Sequence, residues 1–192
     1  IVSFSKDVLR IDAAKEFSRI EPLLKEQVFR KLKKKGVVVG LSGGIDSSAT
    51  VALCARVLGP ERVLALLMPE KESADESTPL GKTLAGKFGV ACVEENIAPL
   101  LEAAGCYRRR DEAIRKQVPE YGPGYRCKIV LSDASESRGF DFFYLVMEEP
   151  DGKQQKIRLS AEAYLGILAA TNMKQRARKF YEYYHADRLN FA

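Results

Sequence analysis

Apolar residues recur every three or four positions between residues 13 and 34, and this spacing predicts an amphipathic helix. Its apolar positions are Phe17, Ile20, Leu24, Val28 and Leu32. A short, continuous apolar run follows at Val37–Leu41. Such a run is typical of a strand that is buried on both faces in a parallel sheet.

The same alternation continues over the next fifty residues. A helix is predicted at 47–58, where Gly59 and Pro60 end it, and a strand at 62–68. A second helix at 80–88 and a third strand at 90–93 complete the series. Strands that alternate with helices of about ten residues indicate an α/β fold with a doubly wound parallel sheet.

The middle of the chain has a different pattern. A turn cluster at 121–124 precedes predicted strands at 125–131, 140–148 and 155–159. The Pro150-Asp151-Gly152 segment is typical of a hairpin turn between the last two strands. We therefore expect one α/β domain over residues 1–192 that carries an antiparallel insertion at about 119–159.

Ser160 is a predicted helix cap, and the helix that follows is expected to break near Thr171-Asn172, because both residues favour caps. Its larger apolar side chains favour a core or a subunit interface over a base-stacking surface; they are Tyr164, Leu165, Leu168, Met173, Phe180, Tyr181 and Tyr184. Residues 189–192 are typical of a strand that is just beginning. We therefore expect the domain to be incomplete at its C-terminal end.

Composition narrows the class of protein. No run of 18 apolar residues exists, so a membrane-spanning helix is not expected, and the first ten residues do not have the pattern of a secretory signal. The four cysteines form no CxxC pair, and His185 is the one histidine. These counts argue against a zinc site or a disulfide scaffold and favour a reducing cytoplasm.

The net charge of +5 favours anionic ligands. Basic clusters occur at 31–35, 108–110 and 174–179. Nucleotides and nucleic acids both satisfy such a charge, so it does not identify the partner.

The segment Gly40–Ser48 lies between a predicted buried strand and a helix, which is where open parallel sheets bind ligands. Gly43 and Gly44 allow an anion to approach the backbone amides, and the helix that follows presents its positive end. Serine hydroxyls at 42, 47 and 48 add donors. Asp46 suits an anion site only if it holds a divalent cation such as Mg²⁺. Ser and Gly also cap helices without binding any ligand, but two glycines, three serines and an acid together favour a pyrophosphate site.

In this context SGGIDSS resembles the pyrophosphate loop (PP-loop) of the N-type ATP pyrophosphatases, which include NAD synthetases, GMP synthetases and tRNA-modifying ligases. Further segments resemble NAD synthetases in particular. These are 38–48 followed by 58–61 and 63–69, then Asn96-Ile-Ala-Pro99, and the helix Asn172–Arg178, in which Gln175 replaces the usual Ala.

The resemblance implies an adenine nucleotide alpha-hydrolase-like fold and an ATP-dependent carbon–nitrogen ligase. Deamido-NAD would be adenylated at its carboxylate with release of pyrophosphate, and ammonia would displace AMP to give NAD. It implies Mg²⁺ on Asp46 and deamido-NAD on Arg176, and it assigns no catalytic side chain. The ATP-binding residues that it implies are Gly40, Leu41, Ser42, Gly43, Gly44, Ile45, Asp46, Ser47, Ser48, Leu67 and Met68. A homodimer is implied as well, and a glutaminase domain or partner stays open.

Three alternatives remain at this point. Glu70–Ser73 and the long insertion depart from the NAD synthetase pattern, and the family's G-T-x-x-x-x-E segment is absent from the sequence. Another PP-loop ligase, with a GMP-synthetase-like or unknown acid substrate, would account for these departures. A tRNA-modifying enzyme would account for the basic clusters, but paired catalytic cysteines are missing, so nucleic acid is not the expected partner. The third alternative is a nucleotide-binding module without catalysis.

Overall fold

A computed structural model describes residues 5–132 and 142–192 of the chain. Its helices and strands are α1 (Ala13–Lys25), β1 (Val37–Gly40), α2 (Ile45–Leu58), β2 (Val63–Leu67), α3 (Ser77–Phe88), β3 (Ala91–Glu94), α4 (Ala98–Ala103), α5 (Cys106–Arg115), β4 (Arg126–Leu131), β5 (Phe143–Glu148), β6 (Gln154–Arg158) and α6 (Ala161–Leu189). They divide into two compact units. The first comprises Ile1–Ala98 with Arg178–Ala192, and the second comprises Pro99–Ala177.

The first unit contains a parallel sheet in the order β1-β2-β3. The registers Val38↔Leu64 and Leu66↔Val93 align the carboxyl ends of the three strands at one edge. Helix α2 connects β1 to β2, and α3 connects β2 to β3. The predicted parallel α/β sheet is therefore confirmed.

Helices cover both faces of this sheet. On one face, Val37 packs in a core that includes Val51 of α2 and Ala85 of α3. On the other face, Val38 lies beside Tyr183 and Ala186 from the last turns of α6. Side chains on a strand alternate between its two faces, which is why adjacent valines of β1 meet different helices.

The boundaries of three predicted helices differ in the structure. The first ends before residue 34: α1 passes into a π-helical turn at Glu26–Lys31, and Lys33 then has a φ of 53°, which no right-handed helix continues. Helix α2 begins two residues before the predicted Ser47, and α3 begins three residues before the predicted Leu80. Both helices begin within the polar segments that sequence patterns treat as loops.

Of the predicted strand at 189–192, residues 190 and 192 form backbone hydrogen bonds with residues 35, 36 and 38. Helix α6 runs through Leu189, and Asn190 ends it with a φ of 55°. The Ala192 amide then donates to the Gly36 carbonyl at 2.8 Å, and the Val38 amide donates to the Ala192 carbonyl at 2.8 Å. The chain thus reaches the edge of β1 that β2 leaves open.

The second unit contains an antiparallel sheet in the order β4-β5-β6. The hairpin at 150–152 joins β5 to β6 as predicted, with the Glu149 amide donating to the Lys153 carbonyl at 2.8 Å. Residues 140 and 141 of the predicted middle strand lie outside the described residues. The sheet falls within the predicted insertion at 119–159, whereas the compact unit begins earlier and ends later.

Helices α4 and α5 were not predicted from the sequence. Three consecutive arginines dominate α5, and its buried side chains sit only at its two ends, as Cys106 and Tyr107 and as Ala113 and Ile114. That spacing leaves a polar centre without a continuous apolar stripe, so the hydrophobic pattern is weak.

The predicted break in α6 near Thr171-Asn172 is wrong. The helix is continuous, and the Thr171 hydroxyl donates to the Ile167 carbonyl at 2.9 Å, within the helix. Ser160 caps its start as predicted, because its hydroxyl accepts from the Ala163 amide at 3.2 Å. The apolar side chains do not form one face: Tyr164 stacks on Phe143, whereas Leu165, Phe180 and Tyr184 are exposed.

None of the helices in the described ranges combines the length and apolarity that crossing a bilayer requires.

Candidate functional site

The predicted loop lies at the carboxyl end of β1. The buried Leu41 extends the strand by one hydrogen bond, from its amide to the Leu66 carbonyl at 2.8 Å, and the chain then leaves the sheet. Strand β2 lies on one side of β1, and the backbone of Ala192 is hydrogen-bonded on the other side. Open α/β sheets bind ligands outside the carboxyl ends of their strands.

Serine side chains hold the loop in its conformation. The Ser47 hydroxyl donates to the Gly44 carbonyl at 3.0 Å and accepts from the Ser42 amide at 3.2 Å. Since its proton is then used, the 3.1 Å contact between the two hydroxyls has Ser42 as the donor. The Ser42 oxygen in turn accepts from the Gly44 amide at 3.3 Å. Two of the three predicted hydroxyl donors are therefore used within the loop, and Ser48 is the third.

Gly43 occupies a position that other residues fit poorly. Its φ is 79°, in the left-handed region, and a Cβ there would lie 3.0 Å from the Ser77 carbonyl oxygen and 3.2 Å from the Leu80 Cβ. Glycine adopts such a φ without steric cost. The first turn of α3 thus packs directly against the loop, which is why the loop needs this glycine.

The first turn of α2 presents free backbone amides. The first α-helical bond is from the Ser48 amide to the Gly44 carbonyl at 3.1 Å, and Gly44 provides no side-chain cap. Among the described residues, the amides of Ile45, Asp46 and Ser47 therefore have no acceptor. Three such amides at the positive end of a 14-residue helix are the arrangement that binds anions at other helix N-termini.

Asp46 lies in the same turn with an exposed side chain. Within residues 5–132 and 142–192 its carboxylate has no hydrogen bond or ion pair, and no group of three His, Cys, Asp or Glu side chains could hold a metal ion. A single carboxylate fits Mg²⁺ rather than a cage-bound ion, because Mg²⁺ keeps several waters and takes further ligands from phosphate oxygens.

The two predicted adenine neighbours, Leu67 and Met68, differ in the exposure of their side chains. Leu67 ends β2 at 2% exposure, with its side chain in the core and its carbonyl accepting from the Glu95 amide at 2.8 Å. Met68 follows the strand, is half-buried, and its Cε reaches towards Gly40. Of the pair, Met68 is the side chain that lies beside the start of the loop.

Arg176 lies in the part of α6 that belongs to the second unit, and it is exposed. The helix continues from there into the first unit, where its last turns face the sheet.

No catalytic side chain was predicted. Burial raises the pKa of the Cys54 thiol on α2, so this thiol stays protonated near neutral pH and is a poor nucleophile.

The sequence patterns missed a polar chain beside the carboxyl end of β3. His185, at 3% exposure, contacts Glu95 with 2.8 Å between Nε2 and Oε1, and Arg188 Nε donates to His185 Nδ1 at 3.0 Å. An arginine only donates, so Nδ1 accepts and the proton on Nε2 points to Glu95. The one available signal was the acidic pair Glu94-Glu95 after a predicted strand.

They also missed Glu182 of α6. Its carboxylate faces the backbone of Gly40, and Lys179 forms an ion pair with it. A cavity of about 220 Å³ opens beside this pair, and its walls are Val38, Lys179, Glu182, Tyr183, Ala186 and Ala192.

Comparison with known proteins gives a consistent family. A family model described as NAD synthase matches residues 16–120. The chain is 55% identical over 189 residues to an NH(3)-dependent NAD(+) synthetase of Rhizobium meliloti (strain 1021), an alignment that covers 98% of this chain and 56% of that protein. It is 50% identical over 190 residues to the protein of the same name from Rhizobium rhizogenes, covering 99% of this chain and 57% of the relative.

The chain thus spans little more than half the length of these two relatives. Among solved structures, a glutamine-dependent NAD+ synthetase from Acinetobacter baumannii in complex with ADP superposes with a TM-score of 0.57. That match has 17% identity and covers 98% of this chain and 28% of the other. At such identity, the superposition supports the fold alone.

Proposed function

The chain belongs to the NAD synthase family, and on that premise we propose that it forms the ATP-binding part of a ligase that converts deamido-NAD to NAD. The observation that carries the proposal is the loop at the carboxyl end of β1, where three amides of α2 find no acceptor in the described part of the chain. The two rhizobial relatives are named NH(3)-dependent, which favours ammonia over glutamine as the nitrogen source.

The reaction requires a good leaving group on a carboxylate. The carboxylate oxygen of deamido-NAD attacks the α-phosphorus of ATP, the bond from that phosphorus to the α–β bridging oxygen breaks, and pyrophosphate leaves. Ammonia then attacks the acyl carbon, and AMP departs with the carboxylate oxygen. Charge grows on pyrophosphate as it leaves, so the amides of Ile45, Asp46 and Ser47 stabilise it most in the transition state.

The rest of the loop contributes rigidity. The hydrogen bonds between Ser42, Gly44 and Ser47 fix the direction of the amides before the nucleotide arrives. A preorganised set of donors does not have to reorient during the reaction, which lowers the barrier. Mg²⁺ on Asp46 would neutralise part of the phosphate charge.

A homodimer and a cytoplasmic location belong to the same proposal. The last turns of α6 expose three aromatic side chains, Phe180 at 62%, Tyr183 at 68% and Tyr184 at 57%. Exposed aromatic residues are common at the centres of protein interfaces.

The contact of Arg176 with deamido-NAD also stays a prediction, as does a glutaminase partner or domain.

The identity of the acid is tested by exchange of labelled pyrophosphate into ATP, with a panel of acids added one at a time. Exchange should depend on deamido-NAD, and NAD should form when ammonia is added. Exchange that depends instead on xanthylate, the acid that GMP synthetases adenylate, would replace this substrate with theirs. Binding of ATP without exchange in the presence of any acid would identify a non-catalytic nucleotide-binding module.

A further inference from the structure

Glu182 places a carboxylate against the carboxyl end of β1. A Cβ built on Gly40 would lie 2.6 Å from Glu182 Oε1 and 3.1 Å from Met68 Cε, so these two atoms fill the space that a side chain at position 40 would need. The Glu182 side chain is only 17% exposed. A carboxylate at that burial loses part of its hydration, and its oxygens therefore need hydrogen-bond donors or a cation.

The two carboxylate oxygens of Glu182 differ in their partners. Lys179, one turn earlier on α6, forms its ion pair with Oε2. Oε1 points towards Gly40, and no donor from residues 5–132 or 142–192 reaches it. The pair with Lys179 offsets the negative charge, so a polyphosphate can bind nearby with less repulsion.

The position of Oε1 matches one part of a nucleotide. Gly40 directly precedes the phosphate loop, and Met68 stands where the base is expected. In a nucleotide the ribose lies between the phosphates and the base. We propose that Glu182 Oε1 accepts a hydrogen bond from a ribose hydroxyl of ATP bound at the carboxyl ends of β1 and β2, and the inference rests on the proposed function. Carboxylates recognise ribose hydroxyls in this way at other α/β nucleotide sites.

Other roles for Glu182 fit the structure less well. A carboxylate repels phosphates, so it does not extend the amide site of α2. It lies on the face of the sheet that α6 covers, whereas Asp46 starts the helix that covers the opposite face. The adenine amino group is the one other donor of the nucleoside, and the test below distinguishes it from the ribose.

The test compares the dissociation constants of four nucleotides by calorimetry: ATP, 2′-deoxy-ATP, 3′-deoxy-ATP and purine riboside triphosphate, which lacks the amino group. The unmodified protein should bind ATP about tenfold more tightly than at least one deoxy analogue, which corresponds to about 1.4 kcal/mol. In Glu182→Ala this preference should fall to within about twofold. Asp187→Ala, which removes an exposed carboxylate from the same helix, should keep it.

A second variant keeps the carboxylate and moves it. In Gly40→Ala the new methyl group displaces Oε1, the mobile end of a side chain, so the ribose preference should also be lost. Inorganic pyrophosphate has no ribose, and its affinity should be equal in the unmodified protein and in Glu182→Ala. This equality would show that the loop is intact.

Four results would overturn the inference. A ribose preference that persists in Glu182→Ala would show that another group makes the contact. Equal affinity for ATP and both deoxy analogues in the unmodified protein would remove the ribose contact while leaving the proposed function in place. If Glu182→Ala abolished only the preference for ATP over purine riboside triphosphate, the carboxylate would contact the adenine amino group instead of the ribose. Absence of ATP binding in the unmodified protein would overturn the proposed function, and the ribose contact with it.

Discussion

At the scale of single residues, two positions near the candidate site have backbone or hydrogen-bond requirements that few other residues would meet. Gly43 combines a φ of 79° with a neighbouring carbonyl 3.0 Å from the place of a Cβ. His185 lies between an arginine that can only donate and a carboxylate that accepts. The contacts of each residue predict the direction and the approximate size of the change in the free energy of unfolding when those contacts are altered.

Replacing Gly43 by alanine should lower the free energy of unfolding by about 1–2 kcal/mol, because an L-residue is strained at this φ and its Cβ presses on α3. Pyrophosphate affinity should fall as well, since the loop amides turn. Gly86→Ala is the matched control, because Gly86 lies inside α3 with no atom within 4 Å of its Cβ position. That change should stabilise by about 0.5–1 kcal/mol, as measured by urea unfolding. An unfolding free energy unchanged by Gly43→Ala would contradict the packing of the loop on α3.

The neutral tautomer of His185 predicts a difference between two changes at Glu95. Glu95→Gln keeps an oxygen that accepts from Nε2–H, so it should cost less than about 1 kcal/mol. Glu95→Ala leaves that buried donor without a partner and should cost about 1–3 kcal/mol. Urea unfolding near neutral pH measures both. If Gln were as damaging as Ala, the contact would require a charged imidazolium, and the assignment of the proton would be wrong.

At the scale of elements, regular apolar periodicity predicted helices and strands correctly. Helices whose formation depends on long-range packing were missed or given a wrong break. The alternation of apolar runs and helices gave β1–β3, and the hairpin signal gave β5 and β6. Helix α5 escaped because its buried positions cluster at its ends, around three arginines. Packing also explains the continuity of α6. Thr171 and Asn172 are weak helix formers in isolation, but apolar burial on either side, at Ile167 and Ala177, keeps them helical.

Asn172→Ala tests the continuity of α6 directly. In the interior of a helix this change should stabilise the protein by up to about 0.7 kcal/mol, because alanine is the better helix former. At a helix cap the same change would cost about 1 kcal/mol. Thermal or urea unfolding gives the sign, and destabilisation of about 1 kcal/mol would support a break at this position.

At the scale of the whole molecule, the candidate site joins parts that differ in how well the sequence predicts them. The loop is contiguous, so Gly40–Ser48 could be located from the sequence alone. Glu182, Glu95 and His185 reach the same edge of the sheet only after folding, from positions about ninety residues apart in the case of Glu95 and His185. No local spacing encodes such a meeting. The match to the family model ends at residue 120, before the antiparallel sheet begins, whereas the alignments with the two rhizobial relatives extend across that sheet.

The central proposal is that the backbone amides of Ile45, Asp46 and Ser47, together with Mg²⁺ on Asp46, hold the pyrophosphate of ATP. Its most direct test is calorimetric titration of ATP with and without Mg²⁺, in the unmodified protein and in Asp46→Asn, with Asp187→Asn as the control. Mg²⁺ should tighten ATP binding in the unmodified protein and in the control. In Asp46→Asn the affinity for ATP with Mg²⁺ should fall by about tenfold or more, because a charged contact is lost. An Asp46→Asn protein whose affinity and Mg²⁺ dependence match those of the unmodified protein would contradict the account.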